Sequence, residues 1–561
     1  MGISMAWAAA MAMAGAAARA QTAAGAGTAA GASVAPASPP GSSLAAQIAT
    51  LVAQPAVARA HWGVMVTTLD GKPLYALNEG QLFQPASNAK LYTTAAALAI
   101  LGPDKTFETR VVAKGNLAGG VLNGDLELVG GGDANLSGRR MPYVYPASRP
   151  TDTGPPPAPL RYLEQLADEV VAKGLKEVDG DVVGDDTYFA WEPYASDWAV
   201  DDLVWGYGAP VSALSINDNQ IEMTVAPGAN RGGKAVVTMK PDVPYYTIDN
   251  EVWSSNPYQN PLLIDRAPGS KVVKVIGGIA TGAAPDVEEL AIEDPAEYAA
   301  IALKAMLEAH GVVVKGRARS QHWNPGDLMG FLEETHRPVP GMSDGLMETI
   351  MSRKFGMGAC GDSGRPNLSR YETVLATHTS APLAQDVVVT NKVSQNLHAE
   401  IMLRNLGFVG GCWGSIAKGA AVERQFLQLA GIDKDDFVFF DGSGLSGHDL
   451  VTPRATAKLL SYAAHDPKTG GPQAWFADWK ASLPVGGEDK ALATRFAKPP
   501  LKDHVFAKTG TLGEARALSG YLDCASGRTV VFSIMVGNHA PGSNADRDAM
   551  DKIVAAIAAA E

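Results

Sequence analysis

Trp62-Gly63-Val64-Met65-Val66-Thr67-Thr68-Leu69-Asp70-Gly71-Lys72-Pro73-Leu74-Tyr75-Ala76-Leu77 is two apolar runs parted by Asp-Gly, and it reads as a β-hairpin. Shortly afterwards Pro85 precedes Ser87, and Leu91, Ala95, Leu98 and Leu101 follow at helical spacing, so Ser87 opens a helix. The far end of the chain mirrors this. Val505 to Thr511, Ala517 to Leu522 and Thr529 to Val536 read as three strands, with Ser526-Gly527 turning the last pair. A helix from about Asn544 to Ala560 closes the chain. Two strands from one end and three from the other predict an α+β fold, an antiparallel five-stranded sheet covered by helices.

Between these ends, residues 108–335 alternate short strands, Gly/Pro turns and two helical stretches, Leu160 to Lys173 and Ala296 to His310. They are expected to form one or two inserted subdomains. The catalytic domain would then be discontinuous, made of residues 44–107 and 336–561. Ser43 to Val52 reads as a short amphipathic helix, and Pro142 to Pro159 as a Pro-rich surface loop. Gly326 to Arg370 is rich in Gly, Met and Pro and reads as a flap or linker.

With 561 residues the chain exceeds one ordinary core. Its 46% hydrophobic and 19% charged residues suit a soluble globular protein. A net charge of −13 argues against nucleic acid as a partner, because no basic stripe replaces counterions. The apolar run Ile3 to Ala18 is too short to span a bilayer well, and Ala18-Arg19-Ala20 fits signal-peptidase cleavage. Residues 1–20 are therefore expected to be a signal peptide and residues 21–43 an uncharged Ala/Gly/Pro/Ser tether, with no transmembrane anchor after cleavage. Cys360, Cys412 and Cys524 have no zinc-site spacing, and no His lies in a metal motif, so neither metal nor cofactor is expected. In an exported protein Cys360 and Cys412 are expected to pair.

Three motifs stand in order: Ser87-Asn88-Ala89-Lys90, Ser394-Gln395-Asn396 and Lys508-Thr509-Gly510. They read as the SxxK, SxN and KTG elements of a serine acyl-transferase. Each also has decoys, in Ser415-Ile416-Ala417-Lys418, Ser215-Ile216-Asn217, Ser254-Ser255-Asn256 and Lys468-Thr469-Gly470. Context separates them. SxxK chemistry needs Ser in the first helical turn with Lys one turn on, which Ser87 and Lys90 satisfy. KTG needs a strand edge whose Gly admits a substrate backbone, and Lys508 ends the apolar run Val505-Phe506-Ala507, whereas Lys468 stands in a turn. For SxN, Asn391 to Arg404 reads as a helix with Ser394 and Asn396 in its first turn.

The chain resembles the D-alanyl-D-alanine carboxypeptidase/endopeptidase family, class C low-molecular-mass penicillin-binding proteins, over about residues 44 to 561. The likeness extends to Asp185-Asp186-Thr187-Tyr188-Phe189, to Tyr207-Gly208-Ala209-Pro210-Val211-Ser212-Ala213-Leu214 and to Asp441-Gly442-Ser443-Gly444-Leu445-Ser446. It implies the serine β-lactamase/penicillin-binding-protein fold and a periplasmic hydrolase acting on peptidoglycan stem peptides, with β-lactams as inhibitors. By that resemblance Ser87 attacks the carbonyl between two terminal D-alanines. Lys90, in neutral form near Lys508, takes the proton, Ser394 relays it to the leaving amine, and Asn396 holds Lys90 and the substrate amide. Backbone N–H groups of Ser87 and Thr511 form the oxyanion hole. Lys508, Thr509, Gly510 and Thr511 receive the substrate's terminal carboxylate and backbone. Asp185 would meet the amino group of the diaminopimelate side chain, while Gly447 stands where relatives often place an Arg for that side chain.

The middle motif is Ser-Gln-Asn where Ser-Asp-Asn is commoner, a change expected to be tolerated because the middle side chain does not react. Two alternatives remain beside this reading. One is a serine β-lactamase, against which the insert argues. The other is a catalytically silent wall-binding module, against which the intact trio argues.

Overall fold

A computed structural model of the chain describes residues 43–145, 154–255, 261–325, 330–336, 372–411 and 413–561. The expected signal peptide and tether lie outside these residues, as do Cys360, Cys412 and most of the 326–370 segment.

Five strands form one fully antiparallel sheet in the order Val505–Leu512, Ala515–Asp523, Thr529–Gly537, His61–Thr68, Pro73–Leu77. The hairpin turns at Gly71, whose φ of 83° is the left-handed conformation a glycine adopts without strain. Alternation along the strands divides two cores. Val64, Val66, Phe532, Ile534 and Val536 point to one face, against Ile48 and the closing helix residues Ile553, Val554 and Ile557. Met65, Val531 and Met535 point to the other, with Leu91, Leu98, Leu459 and Trp479. Both faces are dry because helices cover both, which is why the strands read as nearly continuous apolar runs.

The helix expected after Ser87 is present. It spans Ala89–Leu101 and is buried on every side from Ala89 to Ile100. Its polar residues remain inside because they are paired. Thr93 donates to the Gly442 carbonyl at 2.9 Å and Thr94 to the Lys90 carbonyl at 2.6 Å.

The chain between the two halves builds a seven-stranded sheet and two three-stranded sheets. Helices Arg161–Ala172 and Pro295–Ala309 lie where the sequence places them, the second capped by Asp294. They bury Leu163, Leu166, Ala299 and Leu303 against Leu126 and Leu128 of the larger sheet. One strand of that sheet comes from beyond the 108–335 segment: Glu372–Thr379 pairs antiparallel with Glu108–Ala118. The two connections to the catalytic half therefore run side by side. The Ser380 amide donates to the Phe107 carbonyl at 2.8 Å, and the Ser380 hydroxyl accepts from the Phe107 amide at 2.9 Å.

Candidate active site

Pro85 leads into a single 3-10 turn, Ala86–Asn88, on which Ser87 stands before the helix begins. Ala86 has φ 46°, a left-handed conformation costly for a residue with a side chain. Two glycines hold the turn there. A Cβ on Gly510 would stand 2.4 Å from the Pro85 carbonyl oxygen, and one on Gly444 would stand 1.9 Å from the Ala86 carbonyl oxygen. The Gly of the KTG motif and the second Gly of Asp441-Gly442-Ser443-Gly444 thus admit the nucleophile turn from two sides.

Lys90 is fully buried one turn after Ser87. Its Nζ lies 3.0 Å from Ser87 Oγ, 2.6 Å from Asn396 Oδ1 and 2.6 Å from the Ser443 carbonyl oxygen. Three acceptors around one amine fix its position completely. Lys508, also buried, donates to Ser394 Oγ at 2.8 Å and to the Thr509 carbonyl at 3.0 Å. Thr511 is exposed beyond Gly510, its hydroxyl donating to the Gly510 carbonyl at 2.9 Å. The strand Val505–Leu512 is the edge of the sheet, so from Thr509 to Thr511 its outer side faces the cleft.

Ser394 requires a correction. The helix predicted from Asn391 to Arg404 is two helices, Leu383–Val393 and Asn396–Gly411, and Ser394 lies in the corner between them with φ 64° and ψ 43°. The apolar spacing of Val393, Leu397 and Ile401 conceals this break, because periodicity registers which residues are apolar and not the backbone between them. The corner turns the Ser394 hydroxyl toward Lys508 while Asn396 reaches Lys90.

Asp185 is not joined to this group. Its Oδ1 accepts from the Thr187 amide at 2.8 Å in a local turn, and its carbonyl accepts from Gly130 at 2.9 Å. The insert instead reaches the site through Tyr207. Asn396 Nδ2 donates to the Tyr207 carbonyl at 2.8 Å, and the exposed Tyr207 hydroxyl donates to Asp202 Oδ1 at 2.8 Å. Burial raises the Asp202 carboxyl above its ordinary range. The signal for Tyr207 was the Tyr-Gly-Ala-Pro stretch already quoted, but nothing in it marks the backbone oxygen as the contact.

The loop carrying Ser443 is held by Asp441, whose carboxylate accepts from the amides of Ser443 at 3.0 Å, Gly444 at 2.6 Å and Ser446 at 2.7 Å, and from Trp198 Nε1 at 2.9 Å. Beneath it burial pushes Glu400 up to about 7 and Glu423 up to about 8. For Glu400 the Arg404 guanidinium, 3.0 Å away, and the Gly442 amide oppose that rise.

The decoys have ordinary roles. Ser415 caps the helix Ile416–Leu429, and Lys418 pairs with Glu334 at 2.8 Å. Lys468 lies in a turn around Asp466. Ser215 bonds the Ser212 carbonyl, and Ser254 accepts from the Gly228 amide, both within the insert. Among the described residues no group of three or more His, Cys, Asp or Glu could hold a metal ion, and no helix is long and apolar enough to cross a membrane.

Known proteins share this arrangement of chain. The D-alanyl-D-alanine carboxypeptidase of Actinomadura sp. (strain R39) is 32% identical over 91% of this chain and 84% of its own length. The D-alanyl-D-alanine carboxypeptidase DacB of Haemophilus influenzae is 23% identical over 86% of each chain. The crystal structure of penicillin binding protein 4 (dacB) from Haemophilus influenzae superposes with a TM-score of 0.70 at 22% identity. It covers 90% of this chain and 97% of that one, which makes the fold the same. A family model for D-Ala-D-Ala carboxypeptidase 3 (S13) matches residues 44–328 and 349–559. With a relative above 30% identity matching along nearly its whole length, the chain belongs to the D-Ala-D-Ala carboxypeptidase 3 (S13) family.

Proposed function

We propose that this serine peptidase of the D-Ala-D-Ala carboxypeptidase family works through an acyl-enzyme on Ser87, acting on peptidoglycan stem peptides in the periplasm. The observation that carries the roles is the pair of lysine contacts, Lys90 on Ser87 and Lys508 on Ser394. With Lys90 neutral, its two N–H groups serve Asn396 and the Ser443 carbonyl, and its lone pair faces the Ser87 hydroxyl. Ser87 Oγ attacks the carbonyl of the penultimate D-alanine as its proton passes to Lys90 Nζ. Collapse of the tetrahedral intermediate expels the terminal D-alanine amine, which takes a proton through Ser394. The Ser87 and Thr511 amides stabilise the oxyanion, and Lys508 with Thr509 and Thr511 holds the terminal carboxylate. Water then attacks the ester and regenerates Ser87.

The edge strand from Thr509 to Thr511 would pair with an extended peptide as an added strand. Endopeptidase cleavage follows from the same acylation when the leaving amine belongs to a second stem peptide. Asp202, which accepts from the hydroxyl of the same Tyr207 whose carbonyl meets Asn396, is a candidate carboxylate for a side-chain amino group beside Asp185. We assign residues 44–107 and 336–561 to the catalytic domain and residues 108–335 to the insert, with strand Glu372–Thr379 of the catalytic half completing the insert's larger sheet. Residues 1–20 would export the chain.

Intact mass after brief exposure to benzylpenicillin tests the proposal. A lasting one-to-one adduct on the wild type and none on Ser87→Ala supports it. Consumed penicillin without an adduct would indicate a β-lactamase, and untouched penicillin a silent wall-binding module.

A further inference from the structure

Gln395, between Ser394 and Asn396, is gripped at both ends of its amide. Its Oε1 accepts from the Leu397 amide at 3.0 Å, and its Nε2 donates to Asp218 Oδ2 at 3.0 Å. Asp218 belongs to the insert. It stands in a turn whose residues Asn217, Asp218 and Asn219 have φ of 50°, 55° and 53°. Such a turn of non-glycine residues persists only where its surroundings hold it.

The surroundings are two cations and a second carboxylate. The Arg139 guanidinium meets both Asp218 oxygens, with Nη1 at 2.9 Å from Oδ1. His398 is wholly buried, with Nε2 at 3.3 Å from Asp218 Oδ1 and Nδ1 at 2.6 Å from Asp386 Oδ1. Asp386 also accepts from Asn135 Nδ2 at 2.8 Å. Arg139, Asn135 and Asp218 are insert residues, whereas Asp386 and His398 lie on the two helices that flank the Ser394 corner. The cluster therefore clamps that corner to the insert, and Gln395 is the point where the clamp reaches the motif itself.

The chemistry at that point admits only a donor. Asp218 is 4% exposed and offers Gln395 an ionised oxygen, so position 395 must present an N–H or O–H. An amide does so; a carboxylate at this half-buried position would set a second anion against the buried one of Asp218.

We propose that Gln395 is a positioning residue whose amide, anchored on Asp218 of the insert, sets the Ser394 hydroxyl and Asn396 against the two lysines. A carboxylate is then incompatible with this position in this chain, contrary to the tolerance expected when the motif is read alone. The inference rests on the roles proposed above for Ser394 and Asn396.

The test follows benzylpenicillin acylation of the purified full chain by intact mass across pH. The forms compared are wild type, Gln395→Asp and the charge swap Gln395→Asp/Asp218→Asn. An introduced carboxyl would stand on the Asp218 side of the corner, where Arg139 Nη2 shares Asp218 Oδ2 and His398 meets Oδ1, with Asp386 beyond His398 and Lys508 across Ser394. Near pH 8 the Gln395→Asp rate should fall by about tenfold or more. It should recover as pH falls and the introduced group regains a proton that it can donate. The charge swap should restore much of the rate near pH 8, since one anion is again faced by an amide. Wild-type rates for Gln395→Asp near pH 8 would overturn the proposal. So would a deficit that is the same at every pH and unchanged in the swap, which is the behaviour of a general packing defect. Should the swap fail to fold, the pH profile of Gln395→Asp alone decides. A wild type that forms no Ser87 adduct would instead refute the reading of the site on which this rests.

Discussion

Lys508 Nζ lies 2.8 Å from Ser394 Oγ, joining the last motif of the chain to the middle one. Because the ammonium donates, the hydroxyl must direct its own proton elsewhere, toward the cleft. Lys90 makes the corresponding contact with Ser87 at 3.0 Å. Each serine thus has its own buried lysine.

Replacing Ser394 by Ala should remove the proton path to the leaving amine while leaving both lysines in place. Peptide hydrolysis and benzylpenicillin acylation should both slow by about 10²- to 10⁴-fold, with KM little changed. Rapid-quench acylation rates beside steady-state peptide assays check this. A variant with near wild-type acylation would show that the proton takes another route.

Lys508→Ala should discriminate between substrates. A peptide ending in a free carboxylate loses a charged hydrogen bond, so its kcat/KM should fall by about 10- to 100-fold more than that of the same peptide amidated at its end. Equal losses on the two substrates would mean that Lys508 acts only through Ser394.

Gly510→Ala places a methyl 2.4 Å from the Pro85 carbonyl and 3.2 Å from the Ser87 amide nitrogen. Backbone on both sides leaves little room to yield, so the nucleophile turn must move off the strand. Acylation should fall by about a hundredfold or more, as expected when a reacting group is misplaced by about 1 Å. The rest of the sheet should survive, with only a modest fall in Tm. A fully active variant would disprove the close approach.

His398 makes stability depend on pH with a definite sign. Its burial would lower its pKa, but Asp386 and Asp218 outweigh this and hold it up at about 9. A raised basic group stabilises the fold fully below its unfolded pKa, near 6.5, and that contribution is lost as pH rises through about 9. His398→Gln should cost of the order of 3 kcal/mol near pH 6 and much less above about pH 9. His322, held up at about 10 between Asp186 and Asp294, contributes in the same direction, so the difference between variant and wild type is the quantity to measure. Urea unfolding at the two pH values checks it, and a penalty independent of pH would contradict it.

The sheet was legible because both of its ends are local. Asp70-Gly71 marks a hairpin, short apolar runs mark strands, and Pro85 followed by helical spacing marks where Ser87 must stand. The motif trio was legible from setting and from order together: Lys468 lacks a strand, whereas Ser415 does open a helix with Lys418 one turn on and is set aside because it follows the SxN motif. The gap from Val393 to Asn396 was not legible. Periodicity registers which residues are apolar and not the backbone between them, so it carries no trace of the left-handed corner at Ser394.

By itself the sequence determined the five strands, the two terminal helices and which serine, lysine and asparagine side chains the fold brings together. Only the tertiary structure decided what holds them. The Ser443 and Tyr207 carbonyls that receive Lys90 and Asn396 are backbone atoms, identical in every residue, so no side-chain pattern announces them. Asp202 and Asp185 look alike in sequence, and the path of the insert decides that one accepts from the Tyr207 hydroxyl and the other from the Thr187 amide. The strand Glu372–Thr379 joins the insert through hydrogen bonds to Glu108–Ala118, a pairing made across hundreds of residues. Local preference fixes elements; long-range contacts between backbone groups and buried charges fix which surfaces meet, and those contacts exist only once the chain has closed on itself.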